Sequence, residues 1–303
     1  ANLLNSTDMP PIPSIRARPR WRLRLFMCAA ICANYGACLV QAAENQSAQG
    51  LPMVVNADHS DDCAQTLSLA RHTDHTGGLK TPFSLLNWNV EKAQNTNLIT
   101  EFAEFARHSD LIFLQEAVPI KKAETVIEQS LFAAFVRGYV QNEIETGVLT
   151  LARVSHLVHC HLLATEPWLR TPKATSITLY PLSNSNDTLL TVNLHAINFS
   201  LGIKEYSAQL DAAAKLIRLH QGPVIFGGDL NTWSKRRQRA LDQLADELAL
   251  IPVRFSPDHR TTRFGNPLDH LYVRGLTWQS AETRAVSTSD HNPLFARFKP
   301  SNP

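Results

Sequence analysis

In the stretch VIFGGDLNTW at 224–233, an apolar run ends in Gly227 and Gly228 and then presents the carboxylate of Asp229 and the amide of Asn231. If strand geometry persists, residues two apart point to the same side, where an accepting carboxylate and a donating amide can together hold one water. The two glycines let the backbone bend without Cβ clashes where the strand stops. Gly, Asp and Asn are equally the residues of an ordinary turn, so the stretch by itself leaves both readings open. Other core runs in the chain end in polar groups too: Asn89, Glu116, His195 with Asn198, Asp269, and Asp290 with His291. Strand ends at one rim of a sheet converge even when sequence separates them. Four carboxylates gathered there repel one another unless a cation sits among them. Carboxylate and amide oxygens without thiolates favour Mg²⁺ or Mn²⁺ over zinc.

The elements that must position these groups follow from hydrophobic periodicity. Strands are expected over 83–90, 111–115, 147–153, 176–180, 189–195, 224–228, 268–274 and 293–298. The all-apolar run before Glu116 is that of a strand buried on both faces, and a charge at its mouth needs a partner. Helical spacing appears over 97–107, through Leu98, Phe102 and Phe105, and over 203–219, through Tyr206, Leu210, Ala213 and Ile217. A third helix begins near Ser234, with Leu241, Leu244 and Leu248 inward and Lys235, Arg236, Arg237 and Arg239 near its start. Strands outnumber helices and the two kinds alternate irregularly, which predicts a layered α/β sandwich over 81–303.

At 303 residues and 44% hydrophobic content the chain can bury a large core. Residues 1–42 carry five arginines against Asp8, a net of +4, so with +2 overall the remainder carries 2 − 4 = −2. That excludes a generally polyanion-coating protein, and any polyanion must be held locally. The arginines precede an uncharged apolar stretch at 25–43, which resembles an export leader cleaved after Val40-Gln41-Ala42. An uncleaved membrane anchor through the same segment is the rival reading. Export places the protein in the periplasm or outside the cell, and otherwise it is cytoplasmic. Three of the five cysteines lie inside the leader, leaving Cys63 and Cys160, for which one bridge is possible and nothing demands it. Residues 44–80 are polar and without sustained period, which predicts a linker or peripheral arm, with a helical turn open at 63–69.

Six motifs in order, LNWNVEK, LQEAV, VNLHAINF, GGDLNTW, PLDHLY and TSDHNPLF, resemble the endonuclease/exonuclease/phosphatase superfamily over 83–298. The flanks in NLHAINFSLG and GGDLNTWSKRR are most similar to its YafD-like bacterial branch. The resemblance implies a four-layer fold, with two β-sheets face to face and helices outside. It implies Glu116 as principal metal ligand, with Asn89 and Asp290 near the ion or its waters. Asp229 then orients and deprotonates the attacking water, and Asn231 positions it. His291, oriented by Asp269, stabilises charge on the scissile phosphate, which His195 and Asn198 contact.

Weaker features have plainer readings. His156, His159 and His161 alternate as on an exposed strand face, with zinc ligation the lesser alternative; Trp88 reads as a packing residue, and Trp233, beside the catalytic loop, as packing or as a base-stacking platform. Lys235, Arg236 and Arg237 read either as a solvated helix face or, directly after Asn231, as a grip on a neighbouring phosphate. The first functional reading is therefore a metal-dependent nuclease, a monomer acting on DNA or RNA. The second is a hydrolase of lipid or small-molecule phosphoesters, for which Trp168-Leu169 offers a meagre docking hairpin. A third, a non-catalytic binding module, gives no reason to keep Glu116, Asp229, Asp290 and His291 together.

Overall fold

The computed structural model describes residues 55–57, 60–70, 77–118, 131–141 and 143–301. The leader expected at 1–43 lies outside these residues. Fifteen strands are present among the described residues: β1 (Val55–Ala57), β2 (Phe83–Asn89), β3 (Leu111–Ala117), β4 (Phe132–Gln141), β5 (Ile144–Ala152), β6 (Val158–Thr165), β7 (Pro172–Pro181), β8 (Thr188–His195), β9 (Val224–Asp229), β10 (Ile251–Pro252), β11 (Thr262–Arg263), β12 (Asn266–Pro267), β13 (Asp269–Arg274), β14 (Leu276–Thr283) and β15 (Leu294–Pro300). The helices are α1 (Ser60–Ala70), α2 (Leu98–Arg107), α3 (Lys204–Leu219) and α4 (Lys235–Glu247).

Strand alternation builds the layers. One sheet has seven strands in the order β1-β6-β7-β8-β9-β13-β10, and the other has six in the order β14-β15-β2-β3-β5-β4. Phe83 and Leu85 of β2, Leu111 and Phe113 of β3, Ile225 of β9 and Leu271 of β13 pack between the sheets. The residues of opposite parity point outward: Val224 and Phe226 meet Leu210, Ala213 and Leu241 of α3 and α4, while Leu86, Trp88 and Ile112 meet Leu98 and Phe102 of α2. This is the expected four-layer sandwich, helix, sheet, sheet, helix.

Two expectations are corrected. Residues 44–80 are not all linker, because β1 pairs in parallel with β6 and α1 buries Cys63 and Leu67 in the core of the seven-stranded sheet. A disulfide joins Cys63 to Cys160 on β6, which explains why so polar a stretch stays docked. The histidine strand is not an exposed face either: His156 and His159 are buried, their rings 5.6 Å apart, with His159 Nε2 3.3 Å from Ser176 Oγ. Burial lowers the pKa of both rings, which suits neutral core histidines.

The glycines before Asp229 do not end β9. They let neighbouring backbones approach it, since a Cβ at Gly228 would lie 2.0 Å from Leu194 O, and φ there is 133°. β9 therefore runs between β8 and β13 as far as Asp229, paired on both sides.

Candidate active site

The parity that puts Ile225 between the sheets puts Asp229 there too, four residues further along the strand. On its two sides the register sets His195 of β8 and Asp269 of β13 directly opposite Asp229. Three polar residues thus stand in one row across adjacent strands, on one face. From the facing sheet, Asn89 at the end of β2 donates from Nδ2 to Asp229 Oδ2 at 3.0 Å. Below this rim the inter-sheet space is still polar: Gln115 donates to Asn87 Oδ1 and Asn193 Oδ1 at 3.0 and 2.7 Å. The apolar core thus grades into amides before it reaches the acids.

Asp229 accepts from Asn231 N at 3.1 Å on its other oxygen. Burial lifts its pKa to about 6, against the pull of His291; Asp269 adds to the rise, and Lys173 opposes it. A carboxylate that ionises there can take a proton near neutrality. Asn231 has a left-handed backbone, φ 47°, and its Nδ2 donates to Ala196 O at 3.0 Å. Its side chain is thereby committed to the β8 end, and the backbone N–H makes its contact with Asp229.

His291 is held at both ends. Its Nδ1 lies 2.7 Å from Asp269 Oδ2, and Trp88 Nε1 donates to its carbonyl oxygen at 2.8 Å. Trp88 is therefore more than packing. Burial opposes charge on His291, but Asp269 and Asp229 overcome it and raise its pKa to about 10. The ring is an imidazolium at neutral pH, with Nε2 3.9 Å from Asp229 Oδ2.

Glu116 sits where β3 bulges out of register with β5, in the left-handed region at φ 49°. A non-glycine residue held there marks local strain that surrounding structure maintains. Its Oε2 meets Lys92 Nζ at 2.5 Å, and Oε1 lies 3.9 Å from His195 Nε2. Lys92 comes from a short 3₁₀ turn, Glu91–Ala93, whose three residues all have positive φ.

The sequence-predicted set is gathered unevenly. Asn89, His195, Asp229, Asn231, Asp269 and His291 converge, with Glu116 beside His195. Asp290 is exposed, and its backbone makes its hydrogen bonds, N donating to Glu91 Oε2 at 3.1 Å and O accepting from Thr261 Oγ1 at 3.1 Å. Asn198 flanks the site, its N donating to Glu166 Oε1 at 2.8 Å. Lys235 and Arg236 are exposed. Arg237 is corrected: it is fully buried and grips no phosphate. Its guanidinium donates to the carbonyls of Ile197, Asn231 and Asn198 at 2.6, 3.0 and 2.9 Å and to Ser200 Oγ at 3.0 Å. The rings of Tyr206 and Trp233 lie 4.7 and 4.6 Å from it. It fastens the Asn231 loop to the loop after β8.

Sequence reasoning missed Lys92, Glu166 and Lys173. Glu166 is buried, and Lys173, nearly so, places Nζ 3.0 Å from His195 Nε2. Lys92 closes the LNWNVEK motif but enters the site only through the 3₁₀ turn after β2; no spacing linked Glu166 and Lys173 to the motifs, since they reach the site from the side, off the turn before β7 and off β7 itself.

A divalent cation fits this donor set. Glu116 is an oxygen ligand that needs only to release Lys92. Asp229, Asp269 and His291 also offer ligand atoms within 4.8 Å of one another, and Asp269 Oδ1 is buried without a hydrogen-bond partner among the described residues. Binding at that second position requires His291 to give up its proton.

Two face-to-face sheets with this row of residues at their rim are the four-layer architecture of one superfamily, and the chain belongs to the endonuclease/exonuclease/phosphatase family, whose model matches residues 86–291. Members of that family are generally divalent-metal-dependent phosphoesterases. Among its relatives is a UPF0294 protein of Yersinia enterocolitica, 40% identical over 214 residues, 70% of this chain and 82% of the relative. Similar solved folds include the human Nocturnin catalytic domain with bound sulfate (TM-score 0.59, 15% identity, 77% of this chain and 99% of that one). Another is a mannosyl-6-phosphatase of Bacteroides thetaiotaomicron (TM-score 0.54, 14% identity, 71% and 99%).

Proposed function

We propose that the chain is a divalent-metal-dependent phosphodiester hydrolase acting on DNA or RNA. The observation that carries the reaction is the row His195, Asp229 and Asp269 beside the imidazolium of His291. Asp229 takes the proton of the attacking water, and Asn89 and Asn231 fix its carboxylate. His291, oriented by Asp269, donates from Nε2 to the phosphate as charge builds, a fixed donor that needs no reorganisation. A Mg²⁺ or Mn²⁺ ion held chiefly by Glu116 would supply charge neutralisation at the phosphoryl oxygens.

Polynucleotide as substrate rests on what surrounds the Asn231 side of the site. Trp233 and the exposed Phe264 pack edge to face at 6.4 Å, with Arg263 over Phe264 at 5.8 Å. Lys235 and Arg236 follow in sequence. Aromatic faces and nearby cations are what single strands use. A lipid phosphoester is the second reading, favoured by Trp168 and Leu169 on one loop and Phe199 and Leu201 on another, all exposed. Glu166 Oε1 accepts from Phe199 N at 3.3 Å and so ties those loops together. The protein works outside the cytoplasm in this reading, supported by the basic apolar leader and the Cys63–Cys160 disulfide, a bond of oxidising compartments.

The test is a screen of purified protein with Mg²⁺ or Mn²⁺ against plasmid DNA, RNA, sphingomyelin and a chromogenic phosphodiester. Asp229→Asn should lower turnover about 10²- to 10⁴-fold, as general-base loss does, while substrate still binds. Loss of thermal stability with unchanged turnover per folded molecule would reduce Asp229 to a turn residue.

A further inference from the structure

We propose that Lys173 is a catalytic residue of this site, its ammonium binding the substrate's phosphoryl oxygens on the His195 side of Asp229, with His291 acting from the Asp269 side. The inference rests on the phosphoesterase reading above and adds a residue to it.

Three observations lead there. Lys173 is buried, with its side chain only 10% exposed, and a lysine is seldom placed so without a function or full pairing. It is not fully paired. Of its three N–H donors, one finds an acceptor within hydrogen-bonding distance among the described residues, His195 Nε2 at 3.0 Å. The nearest carboxylate, Glu166, stands 4.0 Å away and is already committed: Oε1 to the backbone N–H groups of Asn198 and Phe199, Oε2 to Thr171 Oγ1 at 3.0 Å. Glu166 steadies the ammonium without saturating it.

The third observation is the direction of the contact to His195. An ammonium has donors only, so His195 Nε2 must be the acceptor, and the ring's proton resides on Nδ1. Nε2 also faces Asp229 Oδ2 at 3.5 Å and Glu116 Oε1 at 3.9 Å. A ring nitrogen engaged in this way has no proton to give a phosphate. The donor on this side of Asp229 is Lys173, with His195 as the residue that positions it.

The experiment uses Lys173→Met, which keeps length and removes charge and donors, and Lys173→Arg, which keeps both. Inorganic phosphate is titrated into the metal-free protein by calorimetry, and turnover of a chromogenic phosphodiester is measured with Mn²⁺. Lys173→Met should bind phosphate at least about tenfold more weakly, the scale of a lost hydrogen bond to a charged group. Its kcat should fall about 10²- to 10³-fold, as when an oxyanion donor is removed, with less change in KM. Mn²⁺ affinity should hold or rise, which a collapsed site would not permit. Lys173→Arg should retain most of the phosphate affinity. Native phosphate binding and native kcat in Lys173→Met overturn the proposal. If that variant does not fold, Lys173→Gln replaces it, and equal phosphate affinity and kcat in the Gln and Arg variants overturn it likewise. A native protein that hydrolyses nothing in the substrate screen defeats the earlier reading instead, while the phosphate titration still decides whether Lys173 is the anion's partner.

Discussion

Arg237→Met should unfold the protein more easily and should not act through substrate charge. The guanidinium makes four hydrogen bonds, three of them to the carbonyls of Ile197, Asn198 and Asn231. Methionine fills much of the space and leaves those carbonyls without donors, at about 1–3 kcal/mol for each buried group. Relief of a desolvated cation offsets part of this, since burial depresses the Arg237 pKa and no carboxylate pairs with it among the described residues. A net loss of about 3–5 kcal/mol follows, at the upper end of single substitutions. At about 2–4 °C per kcal/mol for a domain of this size, Tm drops by about 6–20 °C. Because one of the carbonyls belongs to Asn231, turnover on a polynucleotide and on a small diester should decline together. Exchanging Lys235 and Arg236 for Gln should shift stability by no more than about 0.5 kcal/mol, as expected at exposed sites. Thermal denaturation followed by circular dichroism, with both assays in parallel, decides. An unchanged Tm with loss confined to polynucleotide cleavage would show that Arg237 does grip a phosphate and that its packing has been misjudged.

Reduction of Cys63–Cys160, or Cys63→Ser, should cost about 4–5 kcal/mol in the chain-entropy account of a crosslink spanning 97 residues; a melt unchanged by reductant refutes it. His291 titrates near 10 in the metal-free folded protein, above its unfolded value, so its pairing stabilises fully below about 6.5 and is lost as pH rises through about 10. Asp269→Asn should therefore lower Tm at pH 6 and much less above pH 10, and an equal drop at both would deny the ion pair. Chelation should abolish hydrolysis, and Glu116→Gln should weaken Mn²⁺ binding in a way excess Mn²⁺ restores; full activity in metal-free buffer removes the metal from the account. For Asp229→Asn, excess Mn²⁺ should restore nothing, because the missing group is a base.

The periodic elements were legible because each records its own surroundings. The all-apolar run of β3 announced a strand buried on both faces, the stripe Tyr206, Leu210, Ala213 and Ile217 announced a helix over a sheet, and Ser234 caps α4 by accepting from Arg237 N. The missed elements record less. β4 and β14 mix exposed and polar residues, and α1, legible only as a possible helical turn at 63–69, is amphipathic too weakly to stand out in full from the polar stretch around it. Its place depends on a cysteine 97 residues away.

Residue types and order along the chain determined which carboxylates, amides and histidines this protein brings to a strand-end rim, and that a hard cation suits them. Tertiary structure alone decided how they act on one another. Asp229, His195 and Asp269 form one row because of register between strands, a property no single segment carries. Arg237 reads as a surface cation by sequence, yet the loop ends after β8 and β9 close around it and turn its charge into a fastening. Lys173 reads as nothing at all until β7 lies beside β8. Charge and hydrogen bonding depend on distance and burial, and those are set by packing among residues far apart in sequence.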